Sequence, residues 1–240
     1  MIGMSSQRFG DATIHGDGAI NQGGSRVRQI VGGGRRGRSP GAPDPEQQPV
    51  DVAELGADRA RNVFVVYGRD EQVRRAVFGL LRRLDLRPLQ WEQLVHATEQ
   101  GSPFLGQVVA DAPKFAQAAV VVLTPDDTVL LHHELRRPDE DQHEKRPALQ
   151  PRPNVLLEAG MVLAYYPQNT LILEFGELRP IADLAGRNVI RFTSGSAKLE
   201  ALQKVAGRLR QAGCPVDAAG ADWMDVAPFA DLRAYRRRPL

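Results

Sequence analysis

Two six-residue runs limit what this chain can become: NVFVVY at Asn62–Tyr67 and AAVVVL at Ala118–Leu123. Both are nearly all apolar and rich in valine, with no polar alternation. Such runs predict strands buried on both faces, as in a parallel sheet covered by helices on each side. The turn Gly68-Arg69-Asp70 follows the first run at once. After it, Val73, Val77, Leu80, Leu81 and Leu84 recur at helical spacing, with arginines on the outer face. Strand, tight turn and amphipathic helix open a doubly wound α/β unit.

The remaining elements extend that pattern. Arg87–Gln93 (RPLQWEQ) reads as a short second strand and His96–Gly106 as a loop. Gln107–Phe115 reads as a short helix broken near Pro113. Thr170–Phe175 (TLILEF) is the fourth strand and Asn188–Phe192 the fifth. Lys198–Ala212 is a closing helix with Leu199, Leu202, Val205, Ala206 and Leu209 inward, and Gly213 caps it. The insertion Leu131–Arg152 is charged and contains proline. Its His132, His133 and His143, near Glu134, Asp139 and Asp141, match no zinc spacing, so it reads as a solvated loop and no metal is expected.

Between the third and fourth strands lies NVLLEAGMVLAYY, Asn154–Tyr166. Pro151 and Pro153 stop any helix arriving from upstream. Asn154 is an N-cap candidate, and Pro167 closes the far end. Val155, Glu158, Ala159 and Val162 fall on one face. Glu158 is the one charge in the helix, placed at its start, where the macrodipole favours the ionised form. A carboxylate there either has a structural role, serving the helix start or pairing with a surface arginine, or meets a ligand at the crevice edge.

Hydrophobic residues make up 42% of the chain, a mean that hides a split. Residues 1–60 are polar and rich in Gly and Pro, 61–217 read as one α/β domain, and 218–240 read as a tail ending in the solvated Arg236–Arg238. In the first segment, 32–49 is expected to be a flexible linker. Residues 9–31 are either a disordered tail or a cross-β assembly segment built on Asn/Gln ladders. A net charge of +2 gives no case for nucleic acid. The single cysteine, Cys214, excludes an internal disulfide and reads as a packing residue. No apolar run is long enough for a membrane span, and the N-terminus lacks a signal-peptide core, so a soluble cytoplasmic protein is expected.

Ligands of parallel sheets bind outside the carboxyl ends of the strands. Three segments lie there: Gly68-Arg69-Asp70, Asp126-Asp127, and the helix carrying Glu158. Neither a dinucleotide fingerprint nor a P-loop is present, and there is no Ser nucleophile elbow or Cys/His pair. Asp70 can instead cap its helix, the commoner role for an Asp at that position. Trp91 and Phe104 could stack on a base, though core packing is their commoner use.

NVFVVYGRD, VVVLTPDD and PNVLLEAG, in that order and spacing, resemble the predicted nucleotide-binding TIR-like family of bacterial CD-NTase-associated (CBASS) and Pycsar effectors. The likeness covers about Arg61 to Asp217. It departs from the family at Pro153, at Ala159 and in the long insertion. The resemblance implies a flavodoxin-like TIR fold with a five-stranded parallel sheet and helices on both faces. It implies cleavage of NAD⁺ as substrate, with no cofactor, and Glu158 as the catalytic residue. Gly68, Arg69, Asp70, Asp126 and Asn154 are the expected substrate-binding residues. It further implies an antiphage effector that works when assembled through TIR–TIR contacts, joined here by residues 9–31. An upstream signalling protein or a cyclic nucleotide is a candidate partner; no membrane and no nucleic acid are expected. The rival reading is a non-catalytic TIR-like scaffold or nucleotide-sensing module.

Overall fold

The computed structural model describes residues 52–97, 104–184 and 186–239, within a compact unit, Asp44–Leu240. The expectations for the linker and for residues 9–31 lie outside the described residues.

α1 (Val52–Ala57) leads to β1 (Asn62–Tyr67), which is buried from Asn62 to Val66. Asn62 anchors the entry. Its Nδ2 donates to the Leu55 carbonyl at 2.9 Å and to the Phe115 carbonyl at 2.8 Å. Asp70 caps α2 (Glu71–Arg83) by accepting from the backbone N–H groups of Gln72 and Val73. β2 is shorter than expected, only Arg87–Leu89. Trp91, Glu92 and Gln93 are helical, opening α3 (Trp91–Ala97). The reason is local: Gln93 Oε1 accepts from the Gln90 N–H at 2.9 Å, the return half of a capping box. α4 (Leu105–Phe115) holds Pro113 inside its last turn instead of breaking there.

β3 (Ala118–Leu123) is buried along its whole length. The insertion after it has structure. β4 (Asp127–Val129) precedes α5 (Gln142–Lys145), and β5 (Ala148–Gln150) then returns antiparallel to β4. Glu144 pairs with Arg179 and ties this hairpin to the domain. α6 (Pro153–Tyr165), β6 (Thr170–Phe175), β7 (Ile190–Phe192) and α7 (Lys198–Gln211) follow. Gly213 ends α7 at φ +86°, the left-handed conformation such an end requires.

The five-stranded sheet has the order β2-β1-β3-β6-β7, with every pairing parallel. Val65 lies opposite Val120, which lies opposite Leu171. Alternate residues then serve opposite faces. Val63, Val65, Val120 and Leu173 pack with α2 and α7. Phe64, Val66, Val121 and Ile172 pack with α3, α4 and α6. Truncating Phe64 or Phe78 to Ala in cores of this kind costs about 3–5 kcal/mol.

Of the stretch read above as a tail, residues 218–239 build part of the first core. Trp223, Phe229, Leu232, Ala234 and Tyr235 are buried there, with Phe229 carried by α8 (Ala227–Ala230). The Phe229 ring stacks on Phe192 at 5.3 Å. Beyond it a strap, residues 231–238, crosses the carboxyl ends of the strands. A Cβ on Gly176 (φ +76°) would lie 2.4 Å from the Ala234 carbonyl oxygen, so only glycine lets the strap seat.

Candidate active site

The carboxyl ends of β1 and β3 are neighbours, so Gly68-Arg69-Asp70 meets Thr124-Pro125-Asp126. Asp126 Oδ2 accepts from the Arg69 backbone N–H at 3.1 Å. That oxygen would lie 1.9 Å from a Cβ on Gly68, which explains the glycine. Asp70 and Asp126 are both buried, and one cation serves both. Arg237 of the strap lies 2.8 Å from Asp70 Oδ2 and 3.6 Å from Asp126 Oδ1, and it donates to the Pro125 carbonyl at 3.2 Å. Both carboxylates therefore have structural work. Arg237, expected to be a solvated end, is the residue the sequence concealed. Two acids at strand ends call for a cation, but nothing in the spacing says which one.

α6 carries the second group. Asp126 N–H donates to the Gln150 carbonyl at 3.1 Å, so the helix sets out beside the strand-end cluster. Arg152 is its N-cap residue, with no side-chain capping bond, and Pro153 takes the first helical position. Asn154 is thus not the cap expected above; it is the second helical residue and is exposed. Glu158 is the sixth helical residue, beyond the first turn. The macrodipole argument for its ionised form lapses there, since the effect fades within one turn. Val155, Ala159 and Val162 pin one side of α6 to the sheet, while Leu157 is 58% exposed. Glu158 stands between these sides, half-buried.

Burial pushes the Glu158 carboxyl above its ordinary pKa, and the negative charge of Glu92 on α3 adds to the rise. Among the described residues, Glu158 has no hydrogen-bond or ion-pair partner. Other partly buried acids differ: Glu144 pairs with Arg179, and Glu174 with Arg191 at 3.1 Å. Sequence reading missed Glu92 because WEQ was assigned to a strand. A helix starting at Trp91 would have placed that carboxylate on the α4–α6 side of the sheet.

The expected site residues thus form two groups: Gly68, Arg69, Asp70 and Asp126 in one, Asn154 and Glu158 in the other. Among the described residues no hydrogen bond joins them. Trp91 packs near Phe64, with ring centroids 6.5 Å apart, whereas Phe104 is 80% exposed. Cys214 is buried, and desolvation pushes its thiol up to about 11, which leaves no thiolate for catalysis near neutrality. Among the described residues no helix is long and apolar enough to cross a membrane.

The model of a protein family described as "CAP12/Pycsar effector protein, TIR domain" matches residues 62–194. The matched span runs from the first residue of β1 to just past β7. It contains both residue groups and leaves α7, α8 and the strap outside. No curated protein matches the chain.

Proposed function

The chain belongs to the CAP12/Pycsar effector TIR-domain family, and from Glu158 we propose that it is an NAD⁺ nucleosidase acting as an antiphage effector. One observation carries this reading: a half-buried carboxylate in an apolar helix has no cation among the described residues, and its pKa is raised. A structural acid of this burial is expected to be paired. An acid awaiting a positively charged transition state is expected to stand alone.

The N-glycosidic bond of NAD⁺ joins a cationic nicotinamide to ribose. When it breaks, both bonding electrons leave with nicotinamide, which departs neutral and needs no general acid. Positive charge develops on the ribose as an oxocarbenium-like centre. Glu158 stabilises that charge, the more strongly for being partly desolvated. Water adds at the anomeric carbon and loses a proton, giving ADP-ribose; attack by the adenine instead gives a cyclic product. Glu92 deepens the negative potential at the same place. In this reading Asn154 and the Gly68-Arg69 turn hold the sugar and diphosphate ends. Asp70 and Asp126 keep that turn in shape through Arg237.

Assembly belongs to the same proposal. Leu157 is exposed on the helix that carries Glu158. The exposed Phe104 lies beside the same helix, since its ring and Met161 both border Gly106. A second copy covering these residues would further desolvate Glu158. The test is NAD⁺ consumption by the full chain at high concentration, followed by chromatography, beside Glu158→Gln. Release of nicotinamide by the wild type and not by the variant supports the enzyme. Assembled protein that turns over no NAD⁺ would give the lead to a scaffold.

A further inference from the structure

The face of the sheet opposite Glu158 carries a feature this chemistry does not use. Between α2 and the C-terminal segment lies a cavity of about 980 Å³. Arg69 and Arg75, at and after the start of α2, and Arg233 and Arg237 of the strap line it, together with Ala227 and Pro228 of α8. Three acids also line it, and each is already neutralised. Asp70 pairs with Arg237, Glu71 with Arg74, and Asp231 with Arg236. Arg69, Arg75 and Arg233 are all exposed there and have no carboxylate partner among the described residues. Like charges gather without compensation where a counter-ion is to come.

The walls hold a fixed spacing. Gln72 of α2 clamps the strap in both directions: its Nε2 donates to the Asp231 carbonyl at 3.2 Å, and its Oε1 accepts from the Arg233 N–H at 2.9 Å. Arg75 is one helical turn along from Gln72, so the guanidinium groups of Arg75 and Arg233 are set around one opening. Planar guanidinium forks match phosphate oxygens two at a time. The opening suits a phosphoryl or diphosphoryl group, and the volume leaves room for a nucleoside attached to it.

We infer that Arg75 and Arg233 form a second site that binds a phosphate-bearing anion, on the opposite face of the sheet from Glu158. It needs no part of the NAD⁺ reading, because Arg75 on α2 and Arg233 on the strap lie across the sheet from α6 and take no part in that reading. Half of it is built from the C-terminal segment, outside the family-matched span. The strap that supplies Arg233 also supplies Arg237, so an occupied site holds the strap against the strand ends.

The experiment is calorimetric titration of the full chain with inorganic pyrophosphate, and separately with ADP and adenosine. It is repeated on Arg75→Gln/Arg233→Gln, on Arg75→Gln alone, and on Glu158→Gln. Pyrophosphate should bind the wild type and Glu158→Gln alike and weaken as salt is raised. Each arginine lost should cost about tenfold or more in affinity, at unchanged melting temperature. ADP binding tighter than pyrophosphate assigns a nucleotide as occupant; equal binding, with adenosine silent, assigns the phosphate alone. Wild type that binds no anion up to ~1 mM overturns the site. So does affinity that survives the double variant, or adenosine binding as well as ADP.

Discussion

Glu158 links stability to chemistry at a single residue. Its folded-state pKa is raised, so below the ordinary carboxylate range both folded and unfolded chains carry the proton and nothing is lost. As pH rises through the folded value, the fold must hold an ionised, partly desolvated group that the unfolded chain holds in water. The penalty is complete only above the folded value. Glu158→Gln is therefore expected to raise the melting temperature by a few degrees, read by calorimetry at pH 7, with the gain fading as pH is lowered toward 4. The same change should cut NAD⁺ turnover by about 10²–10³-fold, the scale for losing one electrostatic stabiliser. Inactivity without any stability gain would mean that Glu158 is a structural acid. Glu92→Gln separates the two carboxylates further. It removes the second cause of the raised pKa, so the acid limb of kcat/KM should move to lower pH while turnover at pH 8 largely persists. An unmoved limb would detach Glu92 from the site.

Among the elements, the strap is the one whose contribution is easiest to measure. Arg237→Ala leaves Asp70 and Asp126 facing each other, both buried, with no shared cation. Removing one partner of a fully buried pair costs about 3–5 kcal/mol, and Arg237 is partly exposed, so roughly 1–3 kcal/mol is expected in urea unfolding. Asp126→Asn in the Arg237→Ala background should recover part of that loss, and additive losses would deny the coupling. The elements also show what could be read from the chain. β1, β3 and β6 were legible residue for residue, because strands buried on both faces leave contiguous apolar runs. The α2 stripe was legible, and so was the α7 stripe apart from Leu199, expected inward but exposed in the first turn, because helices buried on one side repeat at 3.6 residues. β2 sits at the sheet edge and is three residues long; its apolar neighbours Trp91 and Leu94 belong to the next helix, which only the Gln93 cap marks. The strap was illegible for a different reason. Trp223, Phe229, Leu232 and Tyr235 follow no period, since what spaces them is the curvature of the surface they cross. Glu158 stood out as one charge in an apolar stretch, but its environment depends on the charge of Glu92 on α3, 66 residues upstream in sequence.

For the whole molecule, the question is what residues 1–43 add to a unit that has both of its cores within 44–240. Every buried side chain cited above lies after residue 54, so a chain begun at Asp44 should melt within a few degrees of the full length. Cys214 provides an independent readout. Its thiol is buried and pushed up to about 11, so alkylation at pH 8 should be slow in both proteins until denaturant opens the α2–α7 core. With folding matched in this way, activity isolates assembly. If residues 9–31 bring TIR domains together, NAD⁺ turnover by the full chain should climb faster than linearly with protein concentration. The shortened chain should then need a much higher concentration for the same specific rate, because a tether replaces a bimolecular encounter by a local one. If the two curves coincide, assembly rests on the exposed Leu157 and Phe104 surface alone, and Leu157→Glu should then abolish the concentration dependence while Cys214 stays protected.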